Sequence, residues 1–117
     1  MPTDADSYRQ ALADLYLRLP DTPCRLSRFD LRLVRQLWDR QIPLTVVETA
    51  FLLASARRIY RPADALPLGR IRSLYYFLPI IEELLENPVP HSDLYLTYLR
   101  TKVTLRPEPG SPPDPSG

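Results

Sequence analysis

The chain has 117 residues, 44% hydrophobic and 25% charged, with a net charge of +1, one cysteine and one histidine. That length holds one domain. A lone thiol excludes an internal disulfide, and one thiol with one imidazole is too small a set for structural zinc. The start, MPTDADSYRQ, has no basic-then-apolar leader, and the longest apolar run, VVETAFLLA, is interrupted by Glu48 and Thr49, so neither a leader nor a membrane span is expected and the cytoplasm is the expected location.

Residues 107–117, PEPGSPPDPSG, hold five of the 14 prolines and two of the three glycines, with no apolar side chain that can pack. That is the composition of a disordered segment. The chain is therefore expected to divide into a flexible N-terminus over 1–6, one helical domain over 7–104 and a disordered Pro-rich tail over 105–117. Charge is uneven along it. Residues 1–24 carry two arginines against four aspartates, residues 25–72 ten arginines against four acids, and residues 73–117 three basic residues against six acids. The middle is basic and the ends acidic. Fourteen of the 15 basic residues are arginine, a bias that genome composition alone can produce.

The first helix is predicted in DADSYRQALADLYLRL, where Leu12, Leu15, Tyr16 and Leu19 recur at helical spacing and Asp4 and Asp6 suit the positive N-terminal end. Pro20 stops it. The second opens at Ser27, with Asp30 three residues on in the manner of a capping box. Phe29, Leu33 and Leu37, with Val34 and Trp38 beside them, give it one broad apolar face, and Pro43 ends it by pushing Ile42 out of helical geometry. Pro43 also starts the third helix, PLTVVETAFLLASARRIY, which is apolar on nearly all sides from Leu44 to Ala56, as a central helix should be.

A connector, PADALPLG, precedes the fourth helix, RIRSLYYFLPIIEELLEN. Pro79 lies inside that stretch, where a proline costs about 3 kcal/mol. The helix either kinks there or breaks in two; Leu74, Leu78 and Ile81 keep helical spacing across the proline and favour the kink. The last segment, SDLYLTYLRTKV, has an N-cap residue in Ser92 but runs into TKVTLR, which alternates like a strand. The sum is an all-α fold, a compact bundle of four to five helices.

No catalytic constellation can be assembled. His91 follows a proline in a turn, and Cys24 has no partner base. Glu82, Glu83 and Glu86 read as a solvated helix face before they read as acid–base or cation-binding groups, and a chain with three glycines has no phosphate-cradling loop. No enzyme activity, cofactor, metal or small-molecule substrate is expected. The arginines stand out instead. Arg25, Arg28, Arg32 and Arg35, spaced 3, 4 and 3, are predicted to form one helical stripe. Such a stripe can meet successive phosphates or can serve as a solvated face, with Asp39 as a weak ion-pair partner of Arg35. Arg57, Arg58 and Arg61 form a second basic cluster, and Arg70 and Arg72 precede Tyr75, Tyr76 and Phe77. Aromatic planes stack on unpaired bases, although three consecutive helical residues point three ways and at least one must be core. Trp38, on the apolar face, reads as core.

The order of LSRFDLRLVRQLW, a proline-started apolar helix ending in ARR, and SLYYFLPIIEELL resembles the helical C-terminal domain of DnaD-type primosomal proteins, over residues 8–86. In that family a helix ending in Trp precedes an Ala-rich helix, and a later helix carries Y-x-x-x-I-x-x-x-W. Tyr76 and Ile80 match the first two signature positions, whereas Leu84 stands at the tryptophan's place and Pro79 interrupts the helix. The resemblance implies an all-helical domain that binds DNA, the signature contributing to single-strand contact, and that assists a helicase or helicase loader. The expected nucleic-acid-binding set is thus Arg25, Arg28, Arg32, Arg35, Arg57, Arg58, Arg61, Arg70, Arg72 and Tyr76. The alternative is a protein-interaction adaptor or subunit of a larger complex, suggested by Leu94, Tyr95, Tyr98 and Leu99 on the last segment and by the acidic ends.

Overall fold

The structure, a computed structural model, describes residues 3–20, 22–23, 25–61, 64, 69–87 and 92–103. Over these the chain is all-α: α1 (Ala5–Leu17), α2 (Arg28–Asp39), α3 (Leu44–Ile59), a 3₁₀ turn (Leu74–Phe77), α4 (Leu78–Glu86) and α5 (Ser92–Lys102). Among the described residues there is no strand. The alternating residues Thr101 and Lys102 close α5 as helix, while Cys24, His91 and the expected tail over 105–117 lie outside the described residues. Among the described residues no helix is long and apolar enough to cross a membrane.

The central position expected of α3 is realised: it packs against α1, α4, α5 and the 3₁₀ turn. Phe51 of α3, Tyr16 of α1 and Phe77 at the end of the 3₁₀ turn are each fully buried. Their ring centres stand 4.8 to 6.1 Å apart, two of the three pairs being edge-to-face. Tilted and edge-to-face pairs of this kind add about 0.5–1.5 kcal/mol each beyond their area burial. The Tyr8 hydroxyl donates to the Ile42 carbonyl at 2.8 Å, and its ring packs on Trp38 at 5.4 Å. These contacts fasten α1 to the α2–α3 connection.

Helix starts follow the capping residues. Asp4 accepts from the Ser7 backbone N–H at 2.7 Å. The Ser27–Asp30 capping box is complete, with Ser27 N–H donating to Asp30 Oδ2 at 2.9 Å and Asp30 N–H to Ser27 Oγ at 3.1 Å. The end of α2 differs from expectation. It stops at Asp39, before Pro43 can act, because Gln41 takes a left-handed φ of 56°. Gln41 N–H then donates to Trp38 C=O at 2.9 Å and Ile42 N–H to Leu37 C=O at 3.1 Å. That is the bond pair of a Schellman motif, completed by buried Ile42 and Leu37.

Two further expectations are corrected. Phe29 is not core but 65% exposed; the buried line of α2 is Asp30, Leu33, Val34 and Leu37, rotated by one residue. The fourth helix is neither continuous from Arg70 nor kinked at Pro79. Ser73 is extended and caps a 3₁₀ turn, and the α-helix begins at Leu78. Pro79 thus falls in a first helical turn, where its missing N–H breaks no bond.

Candidate nucleic-acid interface

Asp30 organises the basic region. It is almost wholly buried, and besides capping α2 its Oδ1 accepts from Ser73 Oγ at 3.0 Å and Leu74 N–H at 2.9 Å. Ser73 Oγ in turn accepts from Tyr75 N–H at 3.1 Å. One carboxylate therefore serves the starts of two helical segments, where the partial positive charge of the N–H groups favours an anion. The same bonds hold residues 70–74 against the first turn of α2. Ile71 turns into the core between exposed Arg70 and Arg72. Arg58, at the end of α3, donates to Gly69 C=O at 2.6 Å and fixes the other end of this segment. The start of α2, which carries Arg28, and the segment that carries Arg70 and Arg72 are thereby held together, although 42 residues separate Arg28 from Arg70 in sequence.

The expected residues divide by what they touch. Arg25 precedes the Ser27 cap, so it stands outside α2 and the four-arginine line is not a single helical stripe. Arg32 lies 5.6 Å from the centre of the exposed Phe29 ring. Arg35 is drawn to Asp39 at 3.1 Å, the ion pair its spacing predicts. Arg57 reaches Glu83 at 3.7 Å and Arg40 forks onto Glu82, so both glutamates tie α4 to its neighbours. Arg58 also donates to the Tyr76 hydroxyl at 3.3 Å and lies 5.5 Å from its ring centre, covering the face expected to stack on a base. Among the described residues, Arg25, Arg28, Arg32, Arg61, Arg70 and Arg72 form no ion pair, and no group of three metal-ligating side chains occurs.

Phe77, the expected core member of the aromatic triplet, is fully buried, and Tyr75 and Tyr76 are exposed. Leu84, at the family tryptophan's position, is a core residue. Sequence reasoning missed Tyr60 and Lys102, which line the cleft between α3 and α5 together with Arg61, Tyr95 and Tyr98. The signal available was the i, i+3, i+7 spacing of Tyr95, Tyr98 and Lys102. Compared with protein-family models, with curated proteins and with solved structures, the chain matches none.

Proposed function

We propose that this chain is a non-enzymatic nucleic-acid-binding accessory module that grips the backbone with arginines around the start of α2. The observation that carries the reading is the Asp30–Ser73–Leu74 hydrogen-bond set, which joins the α2 start bearing Arg28 to the segment bearing Arg70 and Arg72, none of which is ion-paired among the described residues. Exposed arginines left unpaired on a buried anionic scaffold suit a polyanion: neutralised phosphates release counterions, and affinity then depends on salt rather than sequence. No Asn, Gln and Arg set suited to base edges accompanies them, so little sequence reading is expected. Replication is the proposed setting, with a helicase or its loader as protein partner; this part rests on the resemblance to DnaD-type C-terminal domains.

Fluorescence anisotropy with labelled single- and double-stranded oligonucleotides at about 50 mM salt tests the reading. The Arg28/Arg70/Arg72→Ala variant is expected to bind at least about ten-fold more weakly than the parent. Equal binding by the two would sink it. A second reading, a protein-interaction adaptor, is favoured by Leu94 and Tyr98, one helical turn apart on α5 and 73% and 54% exposed. Pull-down of a partner by the parent but not by Leu94→Ser, in the absence of any oligonucleotide binding, would select it.

A further inference from the structure

An open groove of about 560 Å³ runs between the C-terminal half of α3 and Tyr95–Lys102 of α5. Its floor is Leu53, Ala56 and Leu99, and its walls carry Tyr60, Tyr95 and Tyr98. Three cations, Arg57, Arg61 and Lys102, line it, and among the described residues no acidic side chain does. The aromatic walls are ordered with respect to one another. Tyr95 and Tyr98 lie nearly parallel, 26° apart with ring centres at 6.4 Å. The Lys102 ammonium sits 5.2 Å from the Tyr98 ring centre. The Tyr60 hydroxyl donates to the Lys102 carbonyl at 3.4 Å, which sets the third ring beside the last turn of α5.

Tyr60 is 64% exposed. A fold that buries Tyr8 and Tyr16 completely leaves Tyr60 and Tyr98 in water. Exposed aromatic faces interleaved with cations match one chemistry well: bases stack on the rings while the connecting phosphates meet the cations. A duplex cannot use such faces, because its bases are already stacked on one another. An acidic peptide would satisfy the cations but leave the paired ring faces without a planar partner.

We propose that this groove takes unpaired nucleobases of a single strand, stacking them on Tyr60 and on Tyr98, whose ring face opens as Lys102 leaves it for a flanking phosphate, with Arg61 on the next phosphate. The inference rests on the nucleic-acid reading above and adds to it a site and a preference for single strands. DNA and RNA share the required chemistry, so both are probed.

The test uses the full chain with labelled oligo-dT and oligo-rU of about 12 nucleotides, an abasic strand of equal length and a duplex. Four variants accompany the parent: Tyr60→Ala/Tyr98→Ala, Tyr60→Phe/Tyr98→Phe, Arg61→Glu/Lys102→Glu and Arg28/Arg70/Arg72→Ala. The parent is expected to prefer oligo-dT or oligo-rU over the abasic strand by about ten-fold or more. The alanine pair should lose that preference and the phenylalanine pair keep it, while the glutamate pair weakens every single strand. Should the alanine pair misfold, judged by its melting curve, the glutamate pair and the abasic comparison still decide. Equal affinity for base-bearing and abasic strands, or unchanged binding in the alanine and glutamate pairs, overturns the groove assignment alone, provided the arginine triple variant still loses affinity. Binding of an acidic peptide but of no oligonucleotide overturns both this assignment and the nucleic-acid reading.

Discussion

Asp30 Oδ1 accepts the backbone N–H of Leu74 at 2.9 Å, across 44 residues of chain. This bond joins the start of α2 to the start of the 3₁₀ turn and so aligns the connecting segment that bears Arg70 and Arg72. Replacing Asp30 by Ala leaves the N–H groups of Ser27 and Leu74 and the Ser73 hydroxyl without their acceptor. The expected cost is about 2–4 kcal/mol, since each buried unmet donor costs about 1–3 kcal/mol and some find water. Urea unfolding measures it. Ser73→Ala, which keeps the Leu74 bond, is expected to cost about 1 kcal/mol.

Alkaline stability is set partly by Tyr8. Burial raises its pKa from the ordinary 10.0 to about 12. Tyr16 is raised as well, first by burial and then by the neighbouring Asp30 carboxylate. A group whose folded pKa lies above its unfolded value stabilises fully below the unfolded pKa and loses that contribution as pH rises through the folded one. Stability should therefore hold up to about pH 10 and fall between about pH 10 and 12. In Tyr8→Phe part of that fall disappears. The same variant is less stable at neutral pH by about 1 kcal/mol, because the Ile42 carbonyl loses its donor. Denaturant midpoints measured from pH 8 to 12 give both quantities.

Gln41 holds a left-handed conformation that costs a non-glycine residue about 1–2 kcal/mol. Gln41→Gly removes that strain at the expense of a more flexible unfolded chain, so a net gain of about 0.5–1 kcal/mol is expected. Gln41→Val should lose stability instead. Thermal melts of the two variants, displaced in opposite directions from the parent, check the Schellman ending of α2.

Leu84→Trp places the family signature's third residue into this chain. Leu84 is buried, so the larger ring must displace packed neighbours at about 1–3 kcal/mol. A variant that melts below the parent and binds single strands no better agrees with the structure. One that keeps full stability and gains affinity would place position 84 on a binding face instead.

Local signals in the sequence were sufficient for much of the fold. Asp4 and the Ser27–Asp30 box mark helix starts by bonds within one turn, and the apolar character of α3 on nearly all sides marks it as central. What periodicity could not supply was long-range pairing. Asp30 reads as a cap residue, but its partners at 73 and 74 make it the buried position and turn Phe29 out to solvent. The same holds for the interface. The arginine-rich character of residues 25–72 is visible in the sequence, whereas the pairing of Arg35, Arg57 and Arg58 with Asp39, Glu83 and Gly69 depends partly on elements brought together only by folding. Tyr60 and Lys102 meet for the same reason, 42 residues apart.

The central claim is that unpaired arginines around α2 grip phosphate, and the salt dependence of oligonucleotide affinity tests it most directly. If Arg25, Arg28, Arg32, Arg70 and Arg72 each neutralise one phosphate of a single strand, they should contribute about −3.5 to the slope of the logarithm of the association constant against that of salt. In Arg28/Arg70/Arg72→Ala the slope should become shallower by about 2.1. A slope near zero, or one that the triple substitution leaves unchanged, would contradict the account.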